Sequence, residues 1–215
     1  ALRAQVIPDD DRVVRIGVGG PVGSGKTRLI ERLLPLLQSA GFRTAVITND
    51  IVTKADAERL QQTGLIAPEL VVGVETGACP HTAIREDPSA NIDASLSLVR
   101  EHGPLDVILI ESGGDNLAAT FTTDLVDYWL YVIDTAAGDD IPQKRGLGPM
   151  QADLLVVNKT DLAPHVGASL DRIRADLEEV RPDRPWVFTD LRSAGAEPVF
   201  AELRRSILFQ APSPA

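Results

Sequence analysis

The chain has 215 residues, 31 acidic and 21 basic, and its formal charge of −10 argues against any function that draws its affinity from neutralising nucleic-acid phosphates. Cys79 is the only cysteine, which excludes an intrachain disulfide and suits a reducing, cytoplasmic compartment. No apolar run approaches the ~20 residues that cross a bilayer, and the N-terminal stretch lacks a charged-then-apolar signal, so neither a membrane partner nor export is expected.

Residues 1–12, with Asp9, Asp10 and Asp11 in a row, read as a frayed segment before one domain over 13–209, and 210–215 as a frayed tail. Within the domain a strand at 13–19 leads to a helix at 27–40, a strand at 44–48 and a helix at 56–63. A strand at 70–74, a helix at 89–102 and strands at 106–111 and 128–134 follow. The last part holds a strand at 153–158, a helix at 169–180, a strand at 186–189 and a helix at 198–208. Apolar runs buried on both faces and separated by helices imply an α/β fold with a mostly parallel central sheet. Pro35 removes a donor inside the first helix and is expected to end or kink it unless packing absorbs the loss.

Gly20-Pro21-Val22-Gly23-Ser24-Gly25-Lys26-Thr27 fits G-x-x-x-x-G-K-S/T between a strand and a helix, the context a phosphate-binding loop needs. Backbone N–H groups freed by the glycines can turn around an anion, and the helix start adds the positive end of its dipole. Lys26 would reach the β and γ oxygens of a nucleotide, and the Thr27 hydroxyl would complete a Mg²⁺ shell. After the strand at 153–157 stands Asn158-Lys159-Thr160-Asp161. A carboxylate at Asp161 can accept from the N1–H and exocyclic amine of guanine, which adenine lacks, so GTP is favoured over ATP. The plainer reading of Asp161 is a turn cap.

Asp50 lies where a loop can reach over a bound nucleotide, and Glu111 ends its strand before Ser112-Gly113-Gly114, so each can address Mg²⁺ or its waters. A helix cap and a solvated strand end are the alternatives. Cys79-Pro80-His81 sets a thiolate and an imidazole two residues apart, which does not close a metal site. Two chains meeting at this loop would assemble an S₂N₂ set suited to planar Ni²⁺ or tetrahedral Zn²⁺; a structural thiol beside a partly exposed histidine is the other reading. His102 and His165 read as solvated.

The phosphate loop, Thr48-Asn49-Asp50-Ile51, Val74-Glu75-Thr76-Gly77, Cys79-Pro80-His81-Thr82-Ala83-Ile84-Arg85 and Glu111-Ser112-Gly113-Gly114-Asp115-Asn116-Leu117 together resemble the urease accessory GTPases, the UreG family, over roughly Arg15 to Asp161. The resemblance implies a P-loop GTPase of the dimerising class in which GTP and Mg²⁺ order the Cys-Pro-His loops, so that a homodimer shares one Ni²⁺ and hydrolysis releases it. It implies as partners UreF, UreH (UreD), UreE and apo-urease. By position, Lys26 and Thr27 would serve phosphate and Mg²⁺, Asp50 the Mg²⁺ shell, Cys79 and His81 nickel, and Asp161 guanine. Val52, Ala55, Ala78 and Asp140 depart from the usual family pattern. Three rival readings stay open: a hydrogenase-type nickel GTPase resembling HypB, a GTP-gated scaffold without turnover, and a small-molecule P-loop kinase.

Overall fold

The computed structural model describes residues 13–50, 55–75, 82–114, 120–140 and 146–208, with Asp50, Ala55 and Thr82 described as backbone only. Strand β1 (Val14–Gly19) is followed by α1 (Lys26–Ser39), β2 (Thr44–Asp50), α2 (Ala55–Gln62), β3 (Val71–Glu75), α3 (Ser89–His102) and β4 (Val107–Glu111). Beyond these come β5 (Tyr128–Asp134), α4 (Leu147–Gln151), β6 (Leu154–Asn158), α5 (Ala163–Val166), α6 (Leu170–Val180), β7 (Trp186–Phe188) and α7 (Glu197–Ser206). The strands described form one sheet in the order β3-β2-β4-β1-β5-β6-β7. Every neighbouring pair in it is parallel.

Unbroken apolar runs follow from helices covering both faces of the sheet. Val107 and Leu109 of β4 enter a core with Leu29, Leu33 and Leu37 of α1, whereas Ile108 and Ile110 point the other way, into a core with Leu98 of α3 and Leu177 of α6. Strand β6 divides in the same way, Leu154 and Val156 against Leu155 and Val157. With both parities of side chain buried, alternation disappears from the sequence.

Helix α1 runs through Pro35 to Ser39, so the proline does not end it. Its ring lies on the exposed face, while Leu33, Leu34 and Leu37 are fully buried on the other and hold the last turns against the sheet. Packing here outweighs one lost hydrogen bond. His102 and His165 are both exposed, at the end of α3 and within α5. Among the described residues, no helix is long and apolar enough to cross a membrane.

In this order β1 lies between β4 and β5, so the chain leaves β1 toward one side of the sheet and reaches β5 on the other. The carboxyl ends of β1, β2, β4 and β6 therefore open on a topological switch point, the place where open α/β sheets bind ligands.

Candidate functional site

The loop after β1 is already folded as a cradle. Gly25 caps α1 with φ 108° and ψ 25°, a left-handed conformation that glycine alone adopts without strain. A Cβ there would also strike the amide nitrogen of Asn158. The Lys26 side chain curls back over the loop, and its Nζ donates to the Gly20 carbonyl at 2.9 Å and the Pro21 carbonyl at 3.3 Å. The ammonium thus lies inside the ring of backbone where a phosphate would sit, and it is nearly buried.

Thr27, the next residue, donates its hydroxyl to Oε1 of Glu111 at 2.6 Å. Register explains the meeting, because Glu111 at the end of β4 pairs with Val18 of β1 and Thr48 of β2. Glu111 is 2 % exposed, and its second oxygen, Oε2, is buried without a partner. Burial pushes the Glu111 carboxyl up to about 7, against the Thr27 hydrogen bond and the Lys26 charge, which act to lower it. A buried carboxylate beside a hydroxyl, both on residues that line a cavity, supplies oxygen donors of the kind a hard cation takes, with waters or phosphates for the rest of its shell. Thr27 and Glu111 therefore fit Mg²⁺. Asp50 is described by backbone alone, at the end of β2 opposite Glu75.

The cavity measures about 410 Å³ and is lined by the phosphate loop, Lys26, Thr27, Asn49, Glu111 and Ser112 to Gly114. Asp56 and Arg59 of α2 close another side, with Arg28. Arg28 and Arg59 both pair with buried Glu31, at 2.8 and 3.5 Å. A side chain on Gly114 would strike the Val22 methyl, so the segment after β4 rests on the phosphate loop because position 114 is bare.

The expected guanine reader divides into two tasks. Asn158 is 3 % exposed; its Nδ2 donates to the Ser24 carbonyl at 2.8 Å, and its Oδ1 accepts from the Leu191 N–H at 3.1 Å. It ties the phosphate loop to the loop after β7. Lys159 is the one non-glycine residue at positive φ among those described, at 58°, held there as its carbonyl accepts from Thr135 Oγ1 at 2.5 Å. Its ammonium pairs with Asp134 at 3.1 Å. Asp161 stands exposed on the turn Thr160–Leu162 that follows β6.

Sequence reasoning assigned no role to Asn49 or Asn91, which form a buried amide pair beneath Glu111. Nothing local signals them, since 42 residues separate the two. Cys79 and His81, like Val52 and Ala78, lie outside the described residues. The π-helical turn Thr82–Glu86 follows directly.

The family profile described as "CobW/HypB/UreG, nucleotide-binding domain" matches residues 14–188. Over 180 residues the chain is 69% identical to "Urease accessory protein UreG" of Mycolicibacterium gilvum, covering 84% of this chain and 87% of that one. It belongs to the UreG branch of the CobW/HypB/UreG family.

The UreG protein of Natronomonas pharaonis is 56% identical over 200 residues, covering 92% of this chain and 97% of its own length. Among solved structures, the hydrogenase maturation factor HypB of Archaeoglobus fulgidus superposes with a TM-score of 0.73 at 27% identity, over 92% of this chain and 94% of that one. HypB of Helicobacter pylori, solved in complex with nickel, has a TM-score of 0.77 at 21% identity, covering 95% and 92%, a likeness of fold. Membership makes the chain a P-loop nucleotide-binding protein and places it nearer UreG than HypB.

Proposed function

We propose that this chain is a GTP-hydrolysing nickel chaperone for urease maturation, with UreF, UreH (UreD), UreE and apo-urease as partners. The observation that carries the reading is the preformed phosphate loop, with Lys26 inside it and Glu111, bonded to Thr27, lining the same cavity. The client enzyme follows from relatives named as urease accessory proteins.

The loop amides and Lys26 bind the triphosphate, the amides as fixed donors and Lys26 as a mobile charge on the β and γ oxygens. Thr27 and Glu111, joined by Asp50, hold Mg²⁺, which when bound neutralises charge developing on the phosphates. Asn158 ties the phosphate loop to the loop after β7, and Asp161 accepts from guanine. Segment 112–114, resting on Val22, senses the γ-phosphate, and its glycines give the freedom to rearrange when that phosphate leaves. Nickel is cargo: Cys79 and His81 of one chain form half of a site that a second chain completes. GTP favours the dimer, and hydrolysis releases the metal.

Asp161→Ala should weaken GTP binding by about 10- to 100-fold, the loss of hydrogen bonds to a charged acceptor, and leave ATP binding nearly unchanged. Competition titrations with both nucleotides measure this; equal losses for GTP and ATP would rule out guanine reading by Asp161. For the metal, light scattering with metal analysis should find a GTPγS-dependent dimer carrying one Ni²⁺ per two chains. Equal nickel loading by a nucleotide-free monomer, or by the Cys79→Ala, His81→Ala double variant, would defeat the shared site.

A further inference from the structure

Asn49 and Asn91 face each other as reciprocal amides. Asn49 Nδ2 donates to Asn91 Oδ1 at 3.0 Å, and Asn91 Nδ2 donates back to Asn49 Oδ1 at 2.8 Å. Each amide uses its second hydrogen elsewhere: Asn49 on the Glu111 carbonyl at 2.9 Å, and Asn91 on the Ala83 carbonyl at 2.9 Å. Exposure is 2 % for Asn49 and 0 % for Asn91, so no water can take over a broken contact.

The pair joins two places that are distant along the chain. At one end is the peptide unit of Glu111, whose carboxylate holds Thr27 at the nucleotide site. At the other is the π-helical turn Thr82–Glu86, a form of backbone that recurs at functional sites. That turn has a second anchor, since the Ile84 carbonyl accepts from Thr122 N–H at 2.9 Å, and Ile84 is packed in the core. Thr122 lies on the same connection that begins at Gly113 and Gly114 beside the phosphate loop. Both anchors therefore lead back to the end of β4.

We propose that the Asn49–Asn91 amide pair carries the state of the nucleotide site to the turn Thr82–Glu86, with Asn91 as the positioning residue. A shift of Glu111 as a nucleotide and its cation bind must either move Asn49 with it or break a water-free contact, and moving Asn49 moves Asn91 and the Ala83 peptide. In sequence the turn directly follows Cys79-Pro80-His81. The proposal rests on the nucleotide reading above but does not require Cys79 and His81 to bind nickel.

Cys79 is the only thiol, so its alkylation by iodoacetamide reports on this neighbourhood without labelling elsewhere. In nickel-free buffer, saturating GTPγS and Mg²⁺ should change the wild-type rate by about fivefold or more, the lower range of ordinary site-to-site coupling. In Asn91→Ala, and in Asn91→Asp, which keeps the shape but loses the two donors, the ratio should fall to within about twofold of one. A variant with a cooperative unfolding transition that keeps the wild-type ratio overturns the proposal, because a purely structural asparagine would lower the melting temperature and leave the ratio intact. If neither variant folds, hydrogen exchange in the wild-type chain decides: nucleotide should slow the amides of 82–86, and unchanged exchange overturns the link. A wild-type chain that binds GTPγS with no change at Cys79 defeats this proposal alone, whereas one that binds no GTPγS defeats the nucleotide reading with it.

Discussion

Lys26→Ala should lower the GTP hydrolysis rate by about 10²- to 10³-fold, the usual effect of removing one preorganised donor from a developing oxyanion. The geometry makes the direction firm. Nζ is already inside the loop, on the Gly20 and Pro21 carbonyls, so a phosphate oxygen arriving there replaces acceptors that the ammonium holds in the free protein. Little reorganisation is needed, and the nearly buried charge acts in a medium where it is weakly screened. GDP affinity should fall less than the rate, because the shape of the loop is set separately by Gly25 and by the Asn158 bond to Ser24. Single-turnover phosphate release, read beside GDP titration, tests both halves. A rate within about tenfold of wild type would remove Lys26 from the chemistry.

Glu111→Gln should erase a pH dependence of stability. In the nucleotide-free protein the carboxyl titrates near 7, against 4.5 unfolded, because burial disfavours its charge. Below 4.5 both states keep the proton and nothing is lost. Between 4.5 and about 7 the unfolded chain releases the proton while the folded chain retains it, so stability declines as pH rises through this window. The wild-type decline is about 3 kcal/mol, the shift converted at 1.36 kcal/mol per unit. The variant lacks this component while still accepting from the Thr27 hydroxyl, although its buried amide hydrogens set a lower baseline. Urea unfolding at a series of pH values, without metal or nucleotide, separates slope from baseline; parallel curves for the two proteins would count against a buried titrating Glu111. The same substitution should lower Mg²⁺-dependent hydrolysis, since a neutral amide oxygen attracts the cation less strongly than a carboxylate.

The legible parts of this protein are those whose physics is local. A G-x-x-x-x-G-K-T run needs only its own glycines and the helix that follows, and the loop has the expected form from Gly20 to Thr27. Strand runs such as Leu154–Asn158 announce themselves by continuous hydrophobicity, with ends displaced by a residue or so where capping and packing compete. Pro35 shows the limit of local rules, because its penalty is fixed by the residue but its outcome by the three buried leucines around it. The short turns Pro68–Leu70 and Thr82–Glu86 lack a periodic pattern long enough to read.

Asn158 and Glu111 mark where reading one residue at a time stops. The Asn158-Lys159-Thr160-Asp161 run suggests a guanine reader when read locally, whereas the Asn158 amide serves the Ser24 carbonyl 134 positions away. Glu111 was visible as a strand-end carboxylate, but whether it would be solvated or buried depended on β1 and β2 lying to either side of it.

From its amino acids alone, then, this protein declares an α/β chain, a phosphate loop with its lysine and threonine, a candidate base-reading carboxylate and a Cys-Pro-His motif, because each is set by neighbours a few positions apart. Tertiary structure alone decided the strand order, the orphaned oxygen of Glu111, the bracing of the loop by Asn158 and the Asn49–Asn91 pair. Those features depend on burial and on contacts between distant segments, and neither exists until the sheet has assembled and excluded water.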